Sequence, residues 1–140
     1  MNIVLDTNVL VAGLLTPFGS CGEIVRMVSS GELTLSLDAR ILIEYQDLLD
    51  RPKFKFDKDK VAALLDHIEH RGITVASSPL PQPLPDIDDE PFLEVAIAAR
   101  AICIVTGNQV HFPTELCQGV MVLSPSDFLG FYRKQQMTTA

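Results

Sequence analysis

The chain has 140 residues, 47% of them hydrophobic and 21% charged, which fits one globular domain around one core and excludes a multidomain assembly. Eleven Lys and Arg stand against 18 Asp and Glu, a formal charge of −7, so a generally basic, nucleic-acid-coating or lipid-coating surface is excluded and an anionic substrate has to be held locally. The longest apolar run, residues 9–15, is about a third of the roughly 20 residues that cross a bilayer, so no membrane span and no signal peptide are expected.

In chain order, five short β-rich segments are predicted as strands, at residues 3–6, 33–36, 73–76, 102–106 and 120–123. They alternate with longer helical patterns and are mostly continuous apolar runs, which points to a mainly parallel sheet, buried on both faces and covered by helices. The first helix is expected at Ser20-Cys21-Gly22-Glu23, where Ser20 and Glu23 have capping-box spacing, and it continues through Ile24, Val25, Met27 and Val28 to a stop at Gly31. Ser36 is the expected cap of a second helix running to about Asp50, ahead of Pro52. Asp57 or Asp59 caps a third that ends before Gly72.

Residues 77–85 carry four prolines and read as an extended loop across the sheet edge. A fourth helix begins near Asp88-Asp89-Glu90-Pro91, with proline tolerated in its first turn, and a last one follows Ser124-Pro125-Ser126-Asp127. The polar tail, residues 133–140, is expected to fray. Cys21, Cys103 and Cys117 form no CxxC pair and sit among apolar neighbours, as buried thiols of a cytoplasmic, disulfide-free protein do.

The acids are placed informatively. Asp6 ends the first strand, and ligands of open parallel sheets bind just beyond strand carboxyl ends; the competing reading is an Asp that caps the next turn. On the second helix Leu37, Ile41, Tyr45 and Leu48 share a face, and Glu44 falls between Leu37 and Leu48, pointing toward the sheet, while Asp47 and Asp50 rotate into solvent. An inward carboxylate is either paired with a base or part of a site. Asp86, Asp88, Asp89 and Glu90 put four acids into five positions, more than helix capping requires, and such crowding calls for a cation or a basic partner, with at least one acid expected to face a metal. Thr106-Gly107-Asn108 ends another strand in the same kind of place as Asp6, with Asn108 offering a neutral oxygen and Thr106 a hydroxyl to order the carboxylates.

The segments LDTNVL (residues 5–10), Ser36 with Glu44, DDEPFL (88–93) and VTGNQVHFP (105–113), in that order over nearly the whole chain, resemble the PIN domain family of metal-dependent nucleases. The likeness is strongest to its bacterial branch of toxins of toxin–antitoxin systems. The resemblance implies a single domain over residues 1–140, a three-layer α/β sandwich around a central five-stranded sheet, and a cytoplasmic endoribonuclease that hydrolyses RNA phosphodiesters with Mg²⁺ or Mn²⁺. Asp6, Glu44 and Asp89 would hold the metal, with Asn8, Thr106 and Asp88 in support. Asn108 takes a catalytic position where many relatives carry Asp, which weakens the expectation of a second metal. An antitoxin protein and a homodimer are the implied partners. The alternative kept open by Asn108 is a catalytically weak module that binds RNA or protein without cutting.

Other features carry less. Arg51 to Lys60 is the densest basic stretch, with Phe54 and Phe56 interleaved, so Lys53 and Lys55 are candidate RNA contacts, diluted by Asp50, Asp57 and Asp59. His111 stands three residues past Asn108, within reach of a phosphate, although a structural imidazole beside Phe112 and Pro113 explains it equally. His67 and His70 lack a completing ligand and read as solvated helix positions. A dehalogenase-type phosphotransferase would place Asp where Asn8 stands, and no GxxxxGK exists for a P-loop.

Overall fold

The computed structural model describes residues 1–139. Among them run five strands, β1 (Asn2–Leu5), β2 (Thr34–Leu37), β3 (Ile73–Thr74), β4 (Cys103–Val105) and β5 (Met121–Leu123). The α-helices, six among the described residues, are α1 (Thr7–Leu15), α2 (Ser20–Ser30), α3 (Ala39–Leu49), α4 (Lys58–Arg71), α5 (Glu90–Ala99) and α6 (Pro125–Thr139). All five expected strands form, in one all-parallel sheet of order β3-β2-β1-β4-β5, flanked by the helices in a three-layer α/β fold.

β1 is central because Ile3, Val4 and Leu5 have no exposed surface, each side chain contributing roughly 1.5–3 kcal/mol of burial. The order also reverses beside β1: β2 and β3 extend one way, β4 and β5 the other. The carboxyl ends of β1 and β4, paired at Val4 with Ile104 and Leu5 with Val105, therefore border a topological switch point, where ligands of such sheets bind.

Several local expectations are corrected. Residues 7–15, which carry no helical periodicity, form α1; Thr7, Val9, Leu10, Val11 and Gly13 are buried, so its apolar residues are not confined to one stripe. Gly13 lets α2 approach, since a Cβ there would stand 2.6 Å from the Cys21 carbonyl oxygen. Ser20 is the first helical residue rather than the cap; Gly19 is the N-cap and makes no side-chain cap bond. At the far end Gly31 closes α2 in the left-handed region, φ 87°, as expected.

Ser36 lies inside β2, where its hydroxyl donates to Asn2 Oδ1 of β1, and the cap of α3 is Asp38, whose Oδ1 accepts from the Ile41 amide at 3.1 Å. Asp57 caps α4, accepting from the amides of Asp59 and Lys60 at 2.9 and 3.2 Å. The expected frayed tail is helical through Thr139, because α6 packs on α2: Arg133 pairs with Glu23 at 2.9 Å and the Tyr132 hydroxyl donates to Glu32 at 3.3 Å. Residue 140 lies outside the described residues.

Candidate active site

Asp6 leaves β1 in extended conformation and caps α1, which explains both readings of it at once. Its amide donates to the Val105 carbonyl at 3.0 Å, and its Oδ2 accepts from the buried Thr106 hydroxyl at 2.7 Å. Its Oδ1 accepts from the Asn8 amide at 3.4 Å. The carboxylate is thus held against the ends of β1 and β4.

Glu44 is delivered by α3. The next residue, Tyr45, is fully buried and donates its hydroxyl to the Leu5 carbonyl at 2.6 Å, which pins α3 onto the end of β1. Burial pushes that phenol far above its ordinary pKa, so it stays a donor. Glu44 itself accepts a hydrogen bond from the Thr7 hydroxyl.

Asp89 closes the 3-10 turn Ile87–Asp89 at the head of α5. The Asp86 carboxylate caps that turn by accepting from the Asp88 amide at 2.9 Å, and the Asp89 amide donates to the Asp86 carbonyl at 3.1 Å. One of the four clustered acids is therefore accounted for by local structure. A second, Glu90, accepts from the Leu84 amide at 3.0 Å and fastens the proline-rich loop.

The three carriers converge on a depression of about 180 Å³ lined by Asp6, Thr7, Asn8, Glu44, Leu48, Asp86, Asp88, Asp89, Phe92 and His111. Among the described residues no Lys or Arg lines it. Burial first, then Asp6, Asp88 and Asp47, raise the pKa of Glu44, against the opposing hydrogen bond from Thr7. Asp89 is pushed up to about 6, by burial foremost and next by Asp6, with His111 opposing and Asp86 and Glu44 adding to the rise. Asp89 Oδ2 is buried, lies 3.2 Å from His111 Nδ1, and still has no hydrogen-bond partner among the described residues.

No group of three or more His, Cys, Asp or Glu among the described residues stands in a formed metal-ligand arrangement. The donor chemistry nevertheless fits a hard divalent cation. Carboxylate oxygens that repel one another, one of them buried without a hydrogen bond and offset in the lining only by His111, are relieved by a charge of +2.

A family model for the PIN domain matches residues 2–110, and that span contains Asp6, Glu44, Asp89 and Asn108. The chain belongs to the PIN domain family. No individually curated protein matches it. PIN domains are generally nucleases, typically use divalent metals and act on nucleic acid, and the fold here is of that nuclease type.

Within this PIN domain the expected residues divide into two sets. Asp6, Asn8, Glu44, Asp88 and Asp89 share the depression, and Thr106 stands behind Asp6. His111 joins them. Asn108 does not: its side chain is exposed and lines no part of the depression, and its tie to the site is its amide, which donates to Thr106 Oγ1 at 3.0 Å.

Lys53 and Lys55 also lie away from the acids and differ from each other. Lys55 lines a separate groove between α3 and α4, whereas Lys53 Nζ sits 5.0 Å above the Phe54 ring. His67, expected in solvent, is half-buried with Nε2 at 2.9 Å from the Val28 carbonyl; His70 is exposed beside Asp66.

One pair of consequence escaped the sequence reading. Glu94 is buried on α5, its Oε1 2.7 Å from Arg40 Nη1 of α3, while Arg40 Nη2 reaches Asp38 at 2.7 Å and Ser77 at 3.1 Å. The Leu80 amide donates to Glu94 Oε2 at 3.3 Å. This clasp ties the helix that carries Glu44 to the helix that follows Asp89. The signal was available, because Glu94 stands among Phe92, Leu93, Val95 and Ala96, an inward carboxylate like Glu44.

Proposed function

We propose that this PIN domain is a divalent-metal-dependent endoribonuclease of the cytoplasm and the toxin of a type II toxin–antitoxin pair, with Asp6, Glu44 and Asp89 holding Mg²⁺ or Mn²⁺. The observation that carries the reading is the convergence of carboxylates from positions 6, 44 and 89 on one depression that holds no Lys or Arg among the described residues. When bound, a divalent cation supplies Lewis-acid polarisation of the phosphate and a lowered pKa for the attacking water.

The protein's own residues do the positioning. Thr106 keeps one Asp6 oxygen occupied and so aims the other; Thr7 does the same for Glu44. Asp88 and Asn8 add oxygen donors at the rim. His111, beside Asp89, is placed to contact a phosphate oxygen or hand a proton to the leaving 3′-oxygen. Asn108 steadies the turn after β4 through its backbone.

The test is a purified protein with a mixed RNA pool, in Mg²⁺ or Mn²⁺ against EDTA, beside Asp6→Asn. Cleavage that needs metal and disappears in the variant supports the enzyme. RNA bound but left intact in every metal assigns the weak binding module instead, the reading favoured by the neutral, exposed Asn108. Growth arrest on induced expression, relieved by Asp6→Asn, tests the toxin role.

A further inference from the structure

Beyond the acidic depression, a groove of about 550 Å³ lies between α3 and α4. Leu49, Phe56 and Leu65 make an apolar floor, and Arg51, Lys55 and Lys58 stand around it. Five of the chain's 11 basic residues fall within residues 51–60, on a molecule that is otherwise strongly acidic. Asp50 also lines the groove, and Asp47 stands 3.7 Å from Arg51, so Lys55 and Lys58 are the cations without an ion-pair partner among the described residues.

The local backbone is built to put Lys55 there. The 3-10 turn Pro52–Phe54 ends on Lys55 at φ 53°, in the left-handed region, with the Lys55 amide donating to the Pro52 carbonyl at 3.2 Å. A non-glycine residue held this way is strained by about 1 kcal/mol, and such strain collects at functional positions. The reversal stacks Phe54 on Phe56, centroids 5.4 Å apart and planes 16° from parallel, and separates Lys55 from Lys53, which goes over Phe54 instead.

We infer that this groove is a second contact site for single-stranded RNA, gripping the flank of the strand whose phosphate lies in the acidic depression. The choice of RNA rests on the ribonuclease reading above. Cations with an adjacent aromatic surface are what a non-sequence-specific strand groove uses. The two hollows share α3: Glu44 and Leu48 face the depression, Gln46 and Leu49 the groove, and Arg51 follows two residues past the end of the helix. From Glu44 to Leu49 is five residues, roughly 7.5 Å along the helix, or about two stacked nucleotides. The depression itself offers no Lys or Arg to flanking phosphates among the described residues, so a grip on the flank has to come from outside it, and the groove at the C-terminal end of α3 supplies one.

The test measures binding of a fluorescein-labelled 12-nucleotide oligouridylate by anisotropy in EDTA, where metal-dependent cutting is off, over a range of salt. Lys55→Ala/Lys58→Ala is compared with Lys53→Ala/Lys60→Ala, which removes equal charge outside the groove. We expect the groove pair to lose about tenfold or more in affinity at low salt and to flatten the salt slope by about 1.4, against a much smaller change for the other pair. Equal losses in both pairs, no loss in either, or no binding by the unaltered protein overturn the inference. Displacement of the RNA by polyglutamate as readily as by unlabelled RNA also overturns it, in favour of an acidic peptide partner. Cleavage in Mg²⁺ with indifferent lysine variants sinks the groove alone; groove-dependent binding with no cleavage sinks the nuclease alone.

Discussion

Asp89 at the head of α5 and Glu94 in its middle are five residues apart, both carry a carboxylate out of bulk water, and their surroundings differ. Glu94 has its oxygens filled: Arg40 at 2.7 Å on one, the Leu80 amide at 3.3 Å on the other. Asp89 has an oxygen buried without a hydrogen bond and further acids around it. Burial of a charge is unfavourable in both places. At Glu94 the fold supplies the compensating groups and the result is a clasp; at Asp89 it supplies only His111, 3.2 Å away and without a hydrogen bond, and the repulsion left over is available to a ligand. Acid content alone does not mark a site; crowded carboxylates with an unfilled oxygen and no Lys or Arg beside them do.

Removing the clasp's cation should have the largest effect. Arg40→Met leaves Glu94 buried and unpaired, and because Arg40 is itself half-exposed the expected loss is about 3 kcal/mol, at the lower end for broken buried pairs, read as a shifted denaturant midpoint at constant m. At the depression the cation has to come from outside: Mn²⁺ at about a hundred times its dissociation constant should stabilise the unaltered protein by roughly 2.7 kcal/mol. Asp89→Asn should abolish that gain, with calorimetric titration as the check.

Without metal, Asp89→Asn should do the reverse of Arg40→Met and stabilise the fold by about 1 kcal/mol, a value reduced for solvent screening. The effect depends on pH with a definite sign. Asp89 holds its proton to about 6 in the folded state against an ordinary 3.8, so the unfolded chain releases it first. The favourable contribution is complete below pH 3.8 and is lost as pH rises through 6, so in EDTA the advantage of the Asn variant should grow from pH 4 to 7 in thermal melts. A gap that shrinks with pH would contradict the repulsion argument. Smallest of all, Asn108→Ala should move Mn²⁺ affinity by no more than about twofold, less than any change at a lining carboxylate. A larger loss in the titration would bring Asn108 into the site.

The sheet was legible because its strands are short, β-rich and bounded by turn residues, and because buried parallel strands need no alternation. α1 was not, since its apolar residues are spread around the helix and leave no 3.6-residue stripe to read. Ser36 was misread for a related reason: a buried strand serine bonded across to Asn2 has the local look of a cap, and the true cap, Asp38, comes two residues later. Asp6 and Glu44 were found by rules about strand ends and helix faces. Asp89 was singled out from its neighbours by resemblance, since the partners that distinguish it, His111 and the missing hydrogen bond, exist only in three dimensions. The same holds for Arg40 with Glu94, where 54 residues separate the two halves of one ion pair.

The hydrogen bond from Thr106 to Asp6 spans 100 residues of chain. Long-range parallel pairing is slow to form, and the pairing of β1 with β4 cannot begin until β4 has been synthesised. A nascent chain carrying Asp6, Glu44 and Asp89 but not yet Thr106 has the first of its acids unaimed. On the ribonuclease reading proposed above, this topology would keep a nascent chain from cutting its own message until Thr106 has emerged.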